Sequence, residues 1–367
     1  MNFFSNRTKE SLAPQTIDKE GVSVGRTSEL KKDFLPAIEV RNTVIWSNPD
    51  LPFNIKEGES TPVALFLAPG KLTRSDEKLE SQLFHKRSQM LDRVIFRDRY
   101  GNLYRDLDIK GGGHSESGKV KRVRPRNYDG AIGEFTEANG ILKLGSAYHD
   151  KDTSEAFLKK GIRTHSVIAI IDLDEIVVSG VGGLTSKKIS IEEALEEEIL
   201  PENVKPVLEL RAFGTKFRAE DLHTDSEEAG LLVQDAMQLI NNELPQEHKL
   251  TNIGGYLQWF AKTLGDNIGK IHANGWYHGY LTGHNITLDC RIVDLDSVGW
   301  LKNLSDHSQN EKTAEDKIAA RNTLENFVYI VISKLNLTFD DLGFAIHDIL
   351  RQYNNAYSEV MENSIQK

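Results

Sequence analysis

Asn285 and Asp294 are the two residues whose types and spacing most clearly suggest chemistry. They bracket the short β-prone runs Ile286-Thr287-Leu288 and Arg291-Ile292-Val293, which flank Asp289-Cys290. Two such runs around a two-residue turn read as a tight hairpin, which sets the residue before it beside the residue after it. An amide oxygen and a carboxylate facing one pocket suit Mg²⁺ or Mn²⁺, ions that prefer oxygen ligands and keep positions for water and phosphate. The stretch leading in, His278-Gly279-Tyr280-Leu281-Thr282-Gly283-His284-Asn285, contains no carboxylate. Tyr280 is poorly suited to act as a base, since a free tyrosine has a pKa of about 10; packing or nucleotide shielding fits it better. A hairpin whose polar ends only cap turns would give the same local pattern, so the residues upstream matter.

A site for phosphates also needs a fixed cation. Lys110 ends the run Asp106-Leu107-Asp108-Ile109-Lys110 and is followed by Gly111-Gly112-Gly113, where amides clear of side chains can approach a nucleotide, although three glycines also make a plain turn. Just beyond, Lys119, Lys121, Arg122, Arg124 and Arg126 form a basic segment on a chain of net charge -10. Arginine suits bidentate phosphate contact. The overall negative charge argues against general nucleic-acid binding, although the basic segment taken alone would suit it.

The elements that must position these residues change character along the chain. Residues 1–35 are polar and weakly patterned, as in a loose extension. Val44-Ile45-Trp46, Val63 to Leu67, Val94-Ile95-Phe96 and Leu107-Asp108-Ile109 read as strands, with a helix from about Asp76 to Leu91 between the second and third. The apolar run Val167 to Ile171 predicts a strand covered on both faces, with Glu175 to Val178 as its partner. Five glutamates between 191 and 200 suit a solvated helix face. Tyr256, Leu257, Phe260, Leu264, Ile268 and Ile271 recur at spacings of three and four, which predicts a long amphipathic helix directly before the His278 loop. Further helices are expected near 226–243, 312–335 and 338–362.

With 39% hydrophobic and 27% charged residues, the chain has an ordinary globular composition. Its single cysteine, Cys290, excludes an internal disulfide, and a neighbouring Asp289 disfavours a thiolate nucleophile. The histidines are scattered rather than spaced as metal ligands, and His278 suits bracing of the loop. No apolar run approaches a membrane span, so a cytoplasmic protein is expected.

Several motifs together, over roughly residues 94–300, resemble those of the selenoprotein O pseudokinases. Asp108 to Gly113 is similar to the family's strand ending in lysine and a G-x-G turn, and Arg124-Pro125-Arg126-Asn127-Tyr128-Asp129-Gly130 to its arginine-bearing D-G segment. Ser154-Glu155-Ala156 with Gly161-Ile162-Arg163-Thr164-His165 is similar to its S-E-A…G-I-x-T-x-R pattern. His278 to Asn285, with Asp294 nine residues later, matches its base-less loop in spacing. The sequence has no counterpart of the cysteine or selenocysteine that some members carry near the C-terminus.

The resemblance implies an α+β, two-lobed protein-kinase-like fold, with a β-rich nucleotide-binding lobe over 36–212 and a helical lobe over 213–367 carrying the metal loop 278–296. It implies transfer of AMP from ATP to Ser, Thr or Tyr of an acceptor protein, with Asn285 and Asp294 holding Mg²⁺ or Mn²⁺. Lys110, Gly111, Gly112, Gly113, Arg122, Arg124 and Arg126 would bind the nucleotide. An acid should pair with Lys110: Glu134, Asp150 and Glu155 compete, and Glu134 is the choice by residue type, whereas counting back from Gly161 favours Asp150. The Phe213 to Phe217 segment would be the hinge, with backbone from Glu209 to Ala212 meeting adenine in an ordinary kinase pose. The alternatives are a phosphotransferase using Asp296 as substitute base, and an inactive ATP-binding scaffold.

Overall fold

The computed structural model describes residues 34–67, 71–72, 79–84, 88–113, 140–179 and 185–365. Strands β1 (Phe34–Glu39), β2 (Asn42–Ser47), β3 (Leu65–Leu67), β4 (Lys71–Leu72), β5 (Leu79–Phe84), β6 (Ser88–Arg97), β7 (Leu103–Lys110) and β8 (Leu142–Lys143) precede helix α1 (Leu144–Lys159). β9 (Ser166–Leu173), β10 (Glu175–Ser179), β11 (Thr185–Ser190), the short α2 (Ile191–Glu196) and β12 (Pro206–Phe213) follow. The remainder is α3 (Ser226–Glu243), α4 (Ile253–Ala273), β13 (Trp276–Tyr277), β14 (Gly299–Trp300), α5 (Asp306–Lys334), α6 (Phe339–Leu342) and α7 (Ile346–Ile365). The fold is therefore α+β.

The main sheet is curled and antiparallel, in the order β2-β9-β12-β7-β6-β5-β1-β3 with β8 also on β12. Its central strands show why the period of two matters. Leu107 and Ile109 of β7 join Leu208, Leu210 and Ala212 of β12 in an apolar core. The intervening residues Asp106, Asp108, Lys110, Glu209 and Arg211 are buried as well, so the opposite face of the same strands is a buried row of charge. A second core is built by α3, α4, α5 and α7, including all six apolar residues that predict α4.

Caps fix the helix starts: Asp225 accepts from Glu228 N at α3, Asn252 from Gly255 N at α4, and Ser305 from Ser308 N at α5. α5 begins before the expected 312, and the helix expected over 338–362 is two helices, broken where Gly343 takes a left-handed φ of 73°. No described helix is long and apolar enough to cross a membrane.

Two strand-level expectations are overturned. The helix expected over about Asp76 to Leu91 is replaced by β5 and β6, whose pairing with each other and with β1 and β7 outweighs local helical spacing. Glu175 to Val178 pairs with β11 rather than with β9, because both edges of β9 are taken by β2 and β12. The loose extension expected over 1–35 lies outside the described residues up to 33, and Phe34 and Leu35 already belong to β1.

Close packing of α4 on α7 depends on two glycines one helical turn apart. A Cβ at Gly265 would lie 2.2 Å from the Tyr353 carbonyl oxygen, and one at Gly269 2.9 Å from Val360 Cβ. Gly265→Ala should therefore lower stability by about 1–3 kcal/mol despite alanine's better helix propensity. Urea unfolding of the two proteins would measure it, and equal midpoints would contradict this packing.

Candidate functional site

Lys110 opposes Glu209 and Asp108 opposes Arg211 across the β7–β12 ladder. α1 brings Asp150 to this charged face, with Lys110 Nζ 3.4 Å from Asp150 Oδ2. The loop brings two further carboxylates to the same ammonium, Asp294 Oδ1 at 3.3 Å and Asp296 Oδ2 at 3.5 Å. Lys110 and Asp150 are closed off from solvent, but the Asp294 and Asp296 side chains remain 33% and 24% exposed. One lysine thus faces three carboxylates, two of which open outward. Burial works against the Lys110 charge, and Asp296, Asp150 and Asp294 outweigh it, holding the ammonium above its ordinary pKa.

A hairpin delivers Asp294, but it turns around three residues, 288–290, rather than the expected two, because Leu288 N is taken by Phe217 O. The shift sets Asn285 opposite Val293 instead of Asp294. Thr287 N donates to Arg291 O at 3.0 Å, Cys290 N to Thr287 O at 2.8 Å and Val293 N to Asn285 O at 3.0 Å, around an Ile286–Ile292 bridge. Asn285 donates its side-chain amide to Tyr280 O at 2.8 Å, which leaves the amide oxygen as the end able to ligate a cation. Asp294 takes a left-handed conformation, φ 64° and ψ 54°, and starts the 3-10 turn Leu295–Ser297. That turn puts Asp294 and Asp296 on the same ammonium.

The lead-in loop hangs on α5. Asp316 accepts His278 N at 2.6 Å and Gly279 N at 2.8 Å, with His272 Nε2 at 3.4 Å. Burial would raise the Asp316 pKa, but His272 and these amides hold it below the usual carboxylate value. His278 Nε2 lies 3.0 Å from Val293 O; a carbonyl only accepts, so Nε2 carries the proton and Nδ1 accepts from Tyr280 N at 3.3 Å. The expected bracing role of His278 is thus given a geometry. Tyr280 is 63% exposed, so its ring is not held by packing. Cys290 is buried, and burial pushes its thiol up.

Behind Lys110 lies a second ionic layer. Arg211 makes a bidentate pair with Asp108, Nε to Oδ1 at 2.9 Å and Nη2 to Oδ2 at 2.8 Å, and Lys216 also bonds Asp108. Burial opposes ionisation of Asp108, yet Arg211 and Lys216 hold it well below the ordinary range. Burial pushes Lys216 down to about 7 against the pull of Asp108. Burial likewise opposes ionisation of Asp150, and His165, Lys110 and Arg211 overcome it. Burial also pushes His165 down, so near pH 7 Lys110 and Arg211 supply the positive charge and the imidazole acts as a dipole, Nε2 lying 3.1 Å from Asp150 Oδ1. Glu209 is fully buried, and neither carboxylate oxygen has a hydrogen-bond partner among the described residues. Burial and Asp150 push its pKa well above the usual carboxylate range.

The structure therefore brings Lys110 and Asp294 together and gives Lys110 the partner Asp150, while the contacts of Asn285 are to Tyr280 O through its side chain and to Val293 N through its carbonyl. Glu155 instead lies 3.9 Å from Lys151, its side chain 48% exposed. Glu134, Arg122, Arg124 and Arg126 lie outside the described residues. Gly111, Gly112 and Gly113 are buried, and a Cβ at Gly111 would come within 2.6 Å of Val207 O, one at Gly113 within 2.9 Å of the Phe66 ring. These two glycines thus have a packing reason of their own. The backbone from Glu209 to Ala212 pairs with β7 on one side and β9 on the other, so it is committed to the sheet and not open to an adenine. Among the described residues no group of three or more His, Cys, Asp or Glu could hold a metal alone. A metal at Asp294 and Asp296 would need Asn285, water or phosphate to complete its shell. Comparison with known proteins finds no matching family model and no matching curated protein.

A neutral buried Glu209 has a testable sign. With its folded pKa above the unfolded value of about 4.3, the folded state keeps a proton that the unfolded state has lost. Stability then falls by up to about 1.4 kcal/mol per pH unit between the two values. Glu209→Gln should remove this loss, matching wild type near pH 4 and exceeding it at pH 7–8. Chemical unfolding across that range would measure it, and a variant less stable at pH 8 than wild type would show that Glu209 is ionised and paired.

Proposed function

We propose that this chain is an ATP-dependent transferase with a two-lobed protein-kinase-like fold, moving AMP onto a Ser, Thr or Tyr hydroxyl of an acceptor protein. The observation that carries the reading is the convergence of Asp294 and Asp296 on Lys110, with Asp150 fixing the lysine from behind. A buried ammonium facing two partly open carboxylates suits a phosphate chain neutralised on one side by lysine and on the other by a divalent ion. Asn285 and Asp294 would hold Mg²⁺ or Mn²⁺, with Asp296 beside them. Such an ion, when bound, neutralises phosphate charge as pyrophosphate leaves.

Lys110 then acts as a positioned cation for phosphate, and Asp150 keeps it aimed without titrating near neutrality. Arg122, Arg124 and Arg126 would add phosphate contacts, as the resemblance to selenoprotein O pseudokinases implies. AMP rather than phosphate is favoured by that resemblance and by the loop, where an exposed tyrosine stands in place of a carboxylate. Phosphoryl and nucleotidyl transfer depend mainly on position and electrostatics, so a missing base does not forbid turnover. One observation favours a second reading, in which the γ-phosphate is transferred: Asp296 presents a partly exposed carboxylate inside the site that could serve as base if it let go of Lys110.

Incubation with Mg²⁺ or Mn²⁺ and ATP labelled at either the α- or the γ-phosphate separates the readings. Label from the α position alone is expected on protein, and label from γ alone would replace AMP transfer with kinase activity. Asp294→Asn, which tolerates the left-handed backbone, and Lys110→Met should each lower labelling by at least about 100-fold. If no label appears yet ATP raises the melting temperature, the scaffold reading stands instead.

A further inference from the structure

A cavity opens beside the loop, with Gly283 in its lining. It has a volume of about 240 Å³ and lies between the 3-10 turn Ala219–Leu222, Gly283 and α5. That is below the roughly 300–1,000 Å³ of small-molecule pockets and suits one long side chain. Phe327, Ala219 and the half-buried Ile330 give it an apolar part, beside the polar Thr323, Asn326 and His223. One wall is the carboxylate of Glu220, whose side chain is 39% exposed. Gly283 abuts that residue: a Cβ at 283 would lie 3.6 Å from Glu220 Cβ. Asn285 follows two residues later on the same loop.

We propose that this pocket receives an arginine or lysine side chain of the acceptor polypeptide, flanking the hydroxyl to be modified; the proposal rests on the transferase reading above. Long basic side chains lay their aliphatic stems on apolar surface and keep the charged head at a polar rim. Phe327 and Ile330 supply the surface and Glu220 the counter-ion. Of the neighbouring basic side chains, Arg218 donates to His284 O and Lys334 to Thr224 O, and His223 lines the cavity itself. Glu220 Oε2 is met by His284 Nε2 at 2.5 Å, and that histidine is 56% exposed, so an incoming guanidinium can take its place.

The test uses fluorescent serine peptides in which one arginine is walked from three residues before the serine to three after it, with leucine and glutamate at the same positions. Binding to the full chain is read by anisotropy without turnover. One register should bind at least tenfold more tightly with arginine than with leucine, and Glu220→Gln, its fold checked by circular dichroism, should abolish that preference. Equal binding of leucine, an arginine preference that survives Glu220→Gln, or no binding of any peptide would each overturn the proposal. An arginine preference that depends on Glu220, alongside an absence of α-label transfer, would instead count against the transferase reading and leave the docking site standing.

Discussion

Arg291 sets the geometry on which the rest of the site depends. Its guanidinium is fully buried and occupied on every edge: Nε meets Asp289 Oδ2 at 2.7 Å, Nη1 donates to Thr164 O at 2.8 Å, and Nη2 donates to Leu103 O at 2.7 Å with Glu243 Oε1 at 3.2 Å. Its face lies over the Tyr104 ring, 4.6 Å from the centroid. Glu243, at the end of α3, also accepts Leu103 N and pairs with Arg163. The start of β7, the end of α3 and the loop hairpin therefore meet in one ionic cluster. β7 ends in Lys110 and the hairpin ends in Asp294, so the separation of lysine and aspartate is inherited from this junction. Breaking a buried pair of this kind typically costs about 3–5 kcal/mol. The cluster also explains Gly214, where a Cβ would lie 2.1 Å from Asp289 Oδ2.

Charge on the polar face of β7 and β12 is balanced in depth. Arg211 and Lys216 answer Asp108 in the interior, where Asp150 lies between Arg211 and Lys110, while the carboxylates nearer the opening are Asp294 and Asp296. Burial and Asp150 disfavour a further charge on Glu209, which limits the excess of negative charge. The excess negative charge is thus concentrated where the side chains reach water, which is where a cation can approach without a desolvation penalty of its own.

Much of this was legible in the chain, and the remainder fails for physical reasons. The loop hairpin, α3 and α4 follow from local spacing and turn chemistry, although the Leu288 N to Phe217 O bond shifts the hairpin's register. Asp106, Asp108 and Lys110, and Glu209 and Arg211, stand two residues apart in the sequence, but which charges face each other depends on strand register, a nonlocal property. The choice of acid for Lys110 illustrates this: counting back from Gly161 favoured Asp150 and residue type favoured Glu134, which lies outside the described residues, and it is the helix register of α1 that sets Asp150 against Lys110. Asp316 gave no local signal, since a lone aspartate in a polar helix looks like solvated surface until two loop amides are found on it. β5 and β6 were missed because their helical spacing competes with pairing partners far away in sequence.

The anchoring of the loop by Asp316 bears on its exchange with solvent. Loop amides ordinarily trade their hydrogens quickly, because small local fluctuations expose them. The amides of His278 and Gly279 point at a carboxylate on a 29-residue helix, so they are released only when the loop and α5 separate. Deuterium uptake at these two positions would then track the opening of the helical core rather than the flexing of the loop. A segment irregular in its backbone would behave, on that timescale, as part of α5.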